Sequence, residues 1–142
     1  MNTHLDNVGS ISRQKSAEII SKEIERRLAC GGAGKALFLT GDFNSEPDQE
    51  AYRYLTRNES QVFDVRDEIP VEERDGNRIW SFTGFDGKQD PLLDHIFVDD
   101  KGGWKPKTYA VLANRFDEGV YYSDHQAVVT DVELCPEEDG GV

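Results

Sequence analysis

The stretch Leu37-Phe38-Leu39-Thr40-Gly41-Asp42-Phe43-Asn44 constrains this chain more than any other. An apolar run of strand length stops at a glycine, and a carboxylate and an amide stand just beyond it. A buried strand that ends this way delivers polar groups to the rim of a sheet, where ligands of α/β folds bind. The pattern predicts a strand over 36–40 with site residues at its carboxyl end.

The other elements follow from periodicity. Ala17, Ile20, Ile24 and Leu28 keep the spacing of an amphipathic helix over 11–28, capped by Ser10 or Ser12 and ended by Gly31 and Gly32. Pro47 suits the first turn of a second helix, whose inner face is Ala51, Tyr52 and Leu55. Short strands are expected over 62–65, 92–98, 108–112 and 127–134. Residues 2–8 are polar and turn-like, 68–77 form an acidic loop, and 136–142 form an acidic tail, leaving one domain over 1–135. Trp80, Phe82 and Phe85 mark an aromatic segment, either strand or substrate-facing loop, with core packing expected for at least two of them.

Charge narrows the function. The formal net charge of -12 makes a bare surface that repels phosphate backbones and anionic membranes, so a polyanionic substrate needs a bound cation. No apolar run approaches the roughly 20 residues of a membrane span. Cys30 and Cys135 lie far apart and read as free thiols. The opening residues lack a signal peptide's basic and apolar regions, so the expected location is cytoplasmic.

Several familiar sites fail on inspection. Gly34-Lys35 lacks the other residues of a phosphate loop, and Asp42, Asn44 and Glu46 meet Pro47 and Arg53 where a calcium loop needs Gly and Glu. His4, His95 and His125 are too scattered for a zinc hydrolase, and no Gly-x-Ser-x-Gly elbow exists. Asp94 and His95 face opposite sides of a strand, so only one of them joins a given site. The pair Asp42 and Asn44, with Asp94 and the run Ser123-Asp124-His125, suits hard-metal chemistry on a phosphate. Carboxylates hold Mg²⁺ or Mn²⁺, an Asp and Asn hold and deprotonate water, and imidazoles stabilise negative charge.

Asn2-Thr3-His4-Leu5-Asp6, Gly41-Asp42-Phe43-Asn44, Thr83-Gly84-Phe85, Leu93-Asp94-His95-Ile96-Phe97 and Ser123-Asp124-His125 resemble, in that order, the motifs of the endonuclease/exonuclease/phosphatase superfamily, the DNase I-like group. The resemblance implies an α/β fold: the C-terminal half of a four-layer sandwich, with one mainly antiparallel sheet and flanking helices. It implies a Mg²⁺-dependent phosphoester hydrolase acting on a small molecule or a nucleic acid. By position, Asp42 resembles the base that activates water and Asn44 the residue that orients water and phosphate. His125 resembles the imidazole that stabilises or protonates the phosphoryl oxygen, Asp94 the carboxylate that keeps it charged, and His4 a second phosphate-facing histidine. Asp124 resembles a metal ligand.

The resemblance also implies that the first half, with an early Asn and the principal metal-binding Glu, lies outside this sequence. No glutamate precedes His4. The expectation is a weak or inactive chain whose apolar sheet face pairs with that half, with another chain or with a copy of itself. The alternative is a non-catalytic interaction module that keeps the fold.

Overall fold

The computed structural model describes residues 1–30, 36–76, 79–86 and 91–134. The expected tail at 136–142, Cys135 and the glycines expected to end the first helix lie outside them. Its centre is a four-stranded sheet in the order β1 (Asn2–His4), β2 (Phe38–Asp42), β5 (Asp94–Asp99), β3 (Val62–Asp64). The pair β1 and β2 is parallel, and the other two pairs are antiparallel.

Leu39, Phe97 and Val62 turn to one face and join Leu5, Phe43, Ala51, Tyr52 and Leu55 in a buried core under α1 (Ser10–Cys30) and α2 (Glu50–Leu55). The inner residues of α1 are those its spacing predicts: Ala17 and Ile24 are buried, and Ile20 and Leu28 pack beside them. Buried Arg13 ties the two helices, its Nε donating to Glu50 Oε1 at 2.6 Å and its guanidinium to the carbonyl of Asp6 at 3.2 Å.

Beyond β3 lie a short helix α3 (Val65–Glu68), a single 3₁₀ turn and strand β4 (Asp75–Gly76). The acidic stretch is therefore no plain surface loop, since Ile69 and Arg74 are buried. Strand β4 pairs with β7 (Ala110–Val111), which pairs with β8 (Val128–Val129), while β6 (Trp104–Pro106) pairs with β9 (Val132–Leu134). Pairing is thus mainly antiparallel, as expected, but falls into three hydrogen-bonded groups.

Four local expectations are corrected. The polar opening is strand β1, held at the sheet edge by a bond from Asn2 Nδ2 to Thr40 Oγ1 at 2.8 Å. The strand of the opening motif starts later and runs through its glycine to Asp42. Gly41 has φ +149°, and a Cβ there would lie 1.9 Å from the Thr3 carbonyl oxygen, so only glycine lets β1 approach. Helix α2 starts after Pro47, at Glu50, with Ser45 Oγ accepting from the Tyr52 N–H. Residues 127–134 are two strands because Thr130 Oγ1 donates to the Thr108 carbonyl and Thr108 Oγ1 accepts from the Asp131 N–H, breaking the ladder.

The second sheet face is not bare. Val65, Ile69, Val98, Tyr109 and Val111 form a second core, with Phe38, Phe63, Ile96, Trp104 and Val128 partly buried against it. No helix among the described residues is long and apolar enough to cross a membrane.

Candidate active site

Strand register assembles the site. His4 lies opposite Asp42, and Asp42 opposite Asp94, so one row of three residues crosses the upper end of β1, β2 and β5 on the face away from the helices. The next row down is Asn2, Thr40 and Ile96. Residues opposed in a ladder share a face, so the carboxylates converge without help from loops.

Loop 121–125 adds the imidazole. Its conformation is fixed by Asn114, 2% exposed, whose Nδ2 donates to Thr83 Oγ1 at 2.7 Å and to the Ser123 carbonyl at 2.8 Å. Thr83 donates from its N–H and Oγ1 to the Asp124 carbonyl at 2.7 and 3.0 Å. The Gln126 N–H donates to the Ser81 carbonyl at 2.6 Å. His125 therefore stands over the row, with the Phe82 ring packed against it at 5.0 Å.

Its hydrogen bonds define the protonation. His125 Nδ1 lies 2.7 Å from Asp94 Oδ2. Ser81 Oγ accepts from the N–H groups of Leu93 and Asp94, so its own proton goes to Asp94 Oδ2 at 2.6 Å. Asp94 is thus an acceptor for both neighbours, and Nδ1 of His125 carries a proton. On the other side, Asp42 Oδ2 lies 3.6 Å from His125 Nε2 and 3.3 Å from His4 Nε2. Burial opposes ionisation of His125. The bond to Asp94, with the charges of Asp94, Asp42 and Asp124, outweighs it and raises the imidazole's pKa. Burial also raises the pKa of Asp42, against the bond it accepts from the Asn44 N–H and reinforced by Asp94.

Asn44 closes the turn after β2 in a left-handed conformation, φ 46°. Its N–H donates to Asp42 Oδ1 at 2.8 Å and its Nδ2 to the Leu5 carbonyl at 2.8 Å. The amide thus fastens the end of β2 to the segment after β1. His95, on the opposite face of β5 from Asp94, is buried: Nδ1 lies 3.0 Å from Asp64 Oδ2 and Nε2 3.1 Å from the Ser45 carbonyl. A carbonyl can only accept, so Nε2 carries a proton, and the buried pair holds the turn after Asn44 against β3 and β5.

Of the residues anticipated from sequence, His4, Asp42, Asn44, Asp94 and His125 form one connected group. Asp124 is near enough for its charge to act on His125, but its carboxylate makes no hydrogen bond to a described residue. Among the described residues no three acidic, histidine or cysteine side chains gather as a metal group. Asp42 and Asp94 are turned to imidazoles and a hydroxyl, so these residues do not fit a resident divalent ion by themselves. Sequence reading missed Ser81 and Asn114 as supports. Two backbone bonds onto Ser81 and a buried asparagine carry no local signature, although Ser81 sits in the aromatic segment it singled out.

A sequence model of the endonuclease/exonuclease/phosphatase family matches residues 11–125. Among solved structures, an endonuclease/exonuclease/phosphatase from Bacteroides vulgatus aligns at 26% identity and TM-score 0.71, covering 92% of this chain and 47% of that one. A mannosyl-6-phosphatase from Bacteroides thetaiotaomicron aligns at 25% and 0.69, covering 93% and 49%. A conserved protein of unknown function from Enterococcus faecalis shares the fold at 23% and 0.75, covering 94% and 48%. The chain spans about half the length of these solved relatives. No curated protein matches it.

Proposed function

This chain belongs to the endonuclease/exonuclease/phosphatase family, and from that premise we propose that it is a phosphoester hydrolase domain whose reacting groups are Asp42, Asn44, Asp94, His125 and His4. The observation that carries the reading is the linked series Ser81, Asp94, His125, Asp42, His4 at one end of one sheet face. A structural domain gains little by gathering Asp42, Asp94 and His125 there, because each is largely buried and costs desolvation.

Water attacks phosphorus in line, its O–P bond forming as the ester P–O bond breaks. Asp42 takes the water's proton, and its raised pKa makes it a better base than an ordinary carboxylate. Asn44 orients the water and the phosphate. His125, kept protonated by Asp94, donates from Nε2 to a phosphoryl oxygen, and His4 offers a second Nε2 beside it. Two imidazoles converge on Asp42 Oδ2, and an anion arriving there meets both.

A divalent ion such as Mg²⁺ or Mn²⁺ would be held on this chain by Asp124 and would neutralise charge on the phosphate, and its remaining oxygen ligands would have to come from substrate, water or polypeptide outside the described residues. Such polypeptide, whether a partner chain or a further segment, is part of the same proposal, as is the choice between small molecule and nucleic acid.

Hydrolysis of bis-p-nitrophenyl phosphate, with and without Mg²⁺ or Mn²⁺, tests it against Asp42→Ala. Slow metal-stimulated turnover that disappears in the variant is the expected result. Equal rates for both proteins would favour a non-catalytic interaction module.

A further inference from the structure

His95 takes no part in the reaction proposed above, yet its imidazole and the carboxylate of Asp64 are each only 1% exposed. A buried polar pair costs desolvation, so its partners show what it holds. His95 Nε2 donates to the Ser45 carbonyl at 3.1 Å. A second proton lies between Nδ1 and Asp64 Oδ2, 3.0 Å apart, because two bare acceptors repel at that distance. Asp64 Oδ1 accepts from the Arg66 N–H at 2.9 Å, which fixes the carboxylate to the start of α3. The rings of Tyr52 and Phe43 pack on the imidazole with centroids 4.7 and 5.8 Å away, so its direction is set.

The group it holds is Ser45. That residue is 0% exposed, and its Oγ accepts from the Tyr52 N–H at 3.2 Å, so its carbonyl and its hydroxyl are both engaged on the helix side of the sheet. Asn44, just before it, has φ 46°, a conformation that costs energy and persists where the surroundings over-determine it. On the open side the Asn44 N–H occupies Asp42 Oδ1 at 2.8 Å, which turns Oδ2 toward His4 and His125. A continuous series thus runs from Asp64 through His95, Ser45 and Asn44 to Asp42, from the sealed face of the sheet to the open one.

We infer that His95, aimed by Asp64, is a positioning residue that acts through Ser45 and Asn44 to decide which oxygen of Asp42 meets water and phosphate. The inference rests on the phosphoester reading for the role of Asp42, while the hold on Asn44 stands on the contacts alone. His95 itself touches no substrate, because the sheet lies between its ring and the site. A residue that only filled the core could give way to a ring of similar size with no effect on Asp42. A positioning residue needs its Nε2–H.

The test compares wild type, His95→Gln and the double variant Asp64→Asn/His95→Phe, by NMR titration of the Asp42 carboxyl carbon and by hydrogen exchange at the Asn44 N–H. Gln offers Ser45 an N–H in place of Nε2 and Phe offers none, while Asn at position 64 strands no charge and still accepts from the Arg66 N–H. The bond from the Asn44 N–H lowers the pKa of Asp42 against the effect of burial. In the double variant that bond is lost, so the Asp42 midpoint rises above its wild-type value. Exchange at Asn44 speeds up at least about tenfold, the yield of one hydrogen bond, and exchange within α1 changes less. In His95→Gln both readings stay near wild type. Wild type supplies an arm that needs no variant: the His95 Nε2 proton and the Asn44 N–H are protected to within about threefold of each other, since one local opening frees both. An Asp42 midpoint unmoved in the double variant, a Gln variant that behaves as the Phe one does, or a His95 Nε2 proton protected far beyond Asn44 would overturn the positioning role. Where turnover occurs, the double variant lowers kcat more than it raises KM. Absence of turnover in wild type would overturn the phosphoester reading and not the hold on Asn44.

Discussion

Replacing Asp94 by Asn should lower the pKa of His125, because it removes the charge that meets Nδ1. The charges are in direct contact, with Nδ1 and Oδ2 2.7 Å apart and the two side chains 26% and 21% exposed. For charge centres about 4 Å apart, Coulomb's law gives about 4 kcal/mol at an effective dielectric of about 20, which is a ceiling. Residual solvent access and the desolvation of His125 offset part of it. What remains is on the order of 1–3 kcal/mol, between the values for exposed and for fully buried charge pairs. Asn keeps an oxygen that accepts from Nδ1, so the change isolates charge from hydrogen bonding.

The ring protons of His125, followed by NMR from pH 4 to 10, report the effect directly. The sign extends to stability. Because the folded-state pKa of His125 is raised, its contribution is complete below the unfolded value of about 6.5 and is lost as pH rises through the folded value. The stability gap between wild type and Asp94→Asn should therefore be widest below about pH 6.5 and should narrow as pH rises through the folded-state value. If turnover is found, its alkaline limb should move down with the same variant, while the acid limb, set by Asp42, lies above the ordinary carboxylate value of 3.8. An unmoved His125 titration, or a larger shift from Asp42→Asn across 3.6 Å than from Asp94→Asn, would refute the assignment of Asp94 as the charge that holds this imidazole.

Gly41→Ala should cost about 1–3 kcal/mol from backbone conformation alone, and more from collision with the Thr3 carbonyl; urea unfolding would show it, and a loss under about 0.5 kcal/mol would mean that β1 is not seated on β2. His95→Ala leaves Oδ2 of Asp64, a residue 2% exposed, without its imidazole partner while Oδ1 keeps the Arg66 N–H, and should cost about 3 kcal/mol in the same assay. Asn114→Ala frees Thr83 and Ser123 from each other and should cost about 1–3 kcal/mol, with hydrogen exchange rising at residues 121–125 and not in α1; a uniform rise would deny it the role of loop tether.

Much of this site is legible in sequence because its main carriers are local. Asp42 and Asp94 sit in or beside apolar runs, and Ser123-Asp124-His125 is contiguous, so motif order alone brings the reacting residues into view. What stays hidden spans long loops: Ser81 reaches Asp94 across 13 residues, and Asn114 reaches Thr83 across 31. Strand β1 is hidden for another reason. Three polar residues at an edge have no alternation to read, and their pairing depends on a glycine 37 or more residues away.

Alternation, by contrast, carries further than its simplicity suggests. It sets Asp94 and His95 on opposite faces, and the structure turns each into half of an acid–imidazole pair, Asp94 with His125 above the sheet and His95 with Asp64 beneath it. One pair is open to solvent and meets the site, and the other is sealed and pins the turn that bears Asn44. A slip of β5 by one residue would exchange the two faces, burying Asp94 among aromatic rings and presenting His95 to Asp42. The register that opposes Leu39 to Phe97 and Thr40 to Ile96 is therefore a condition of the chemistry as well as of the core.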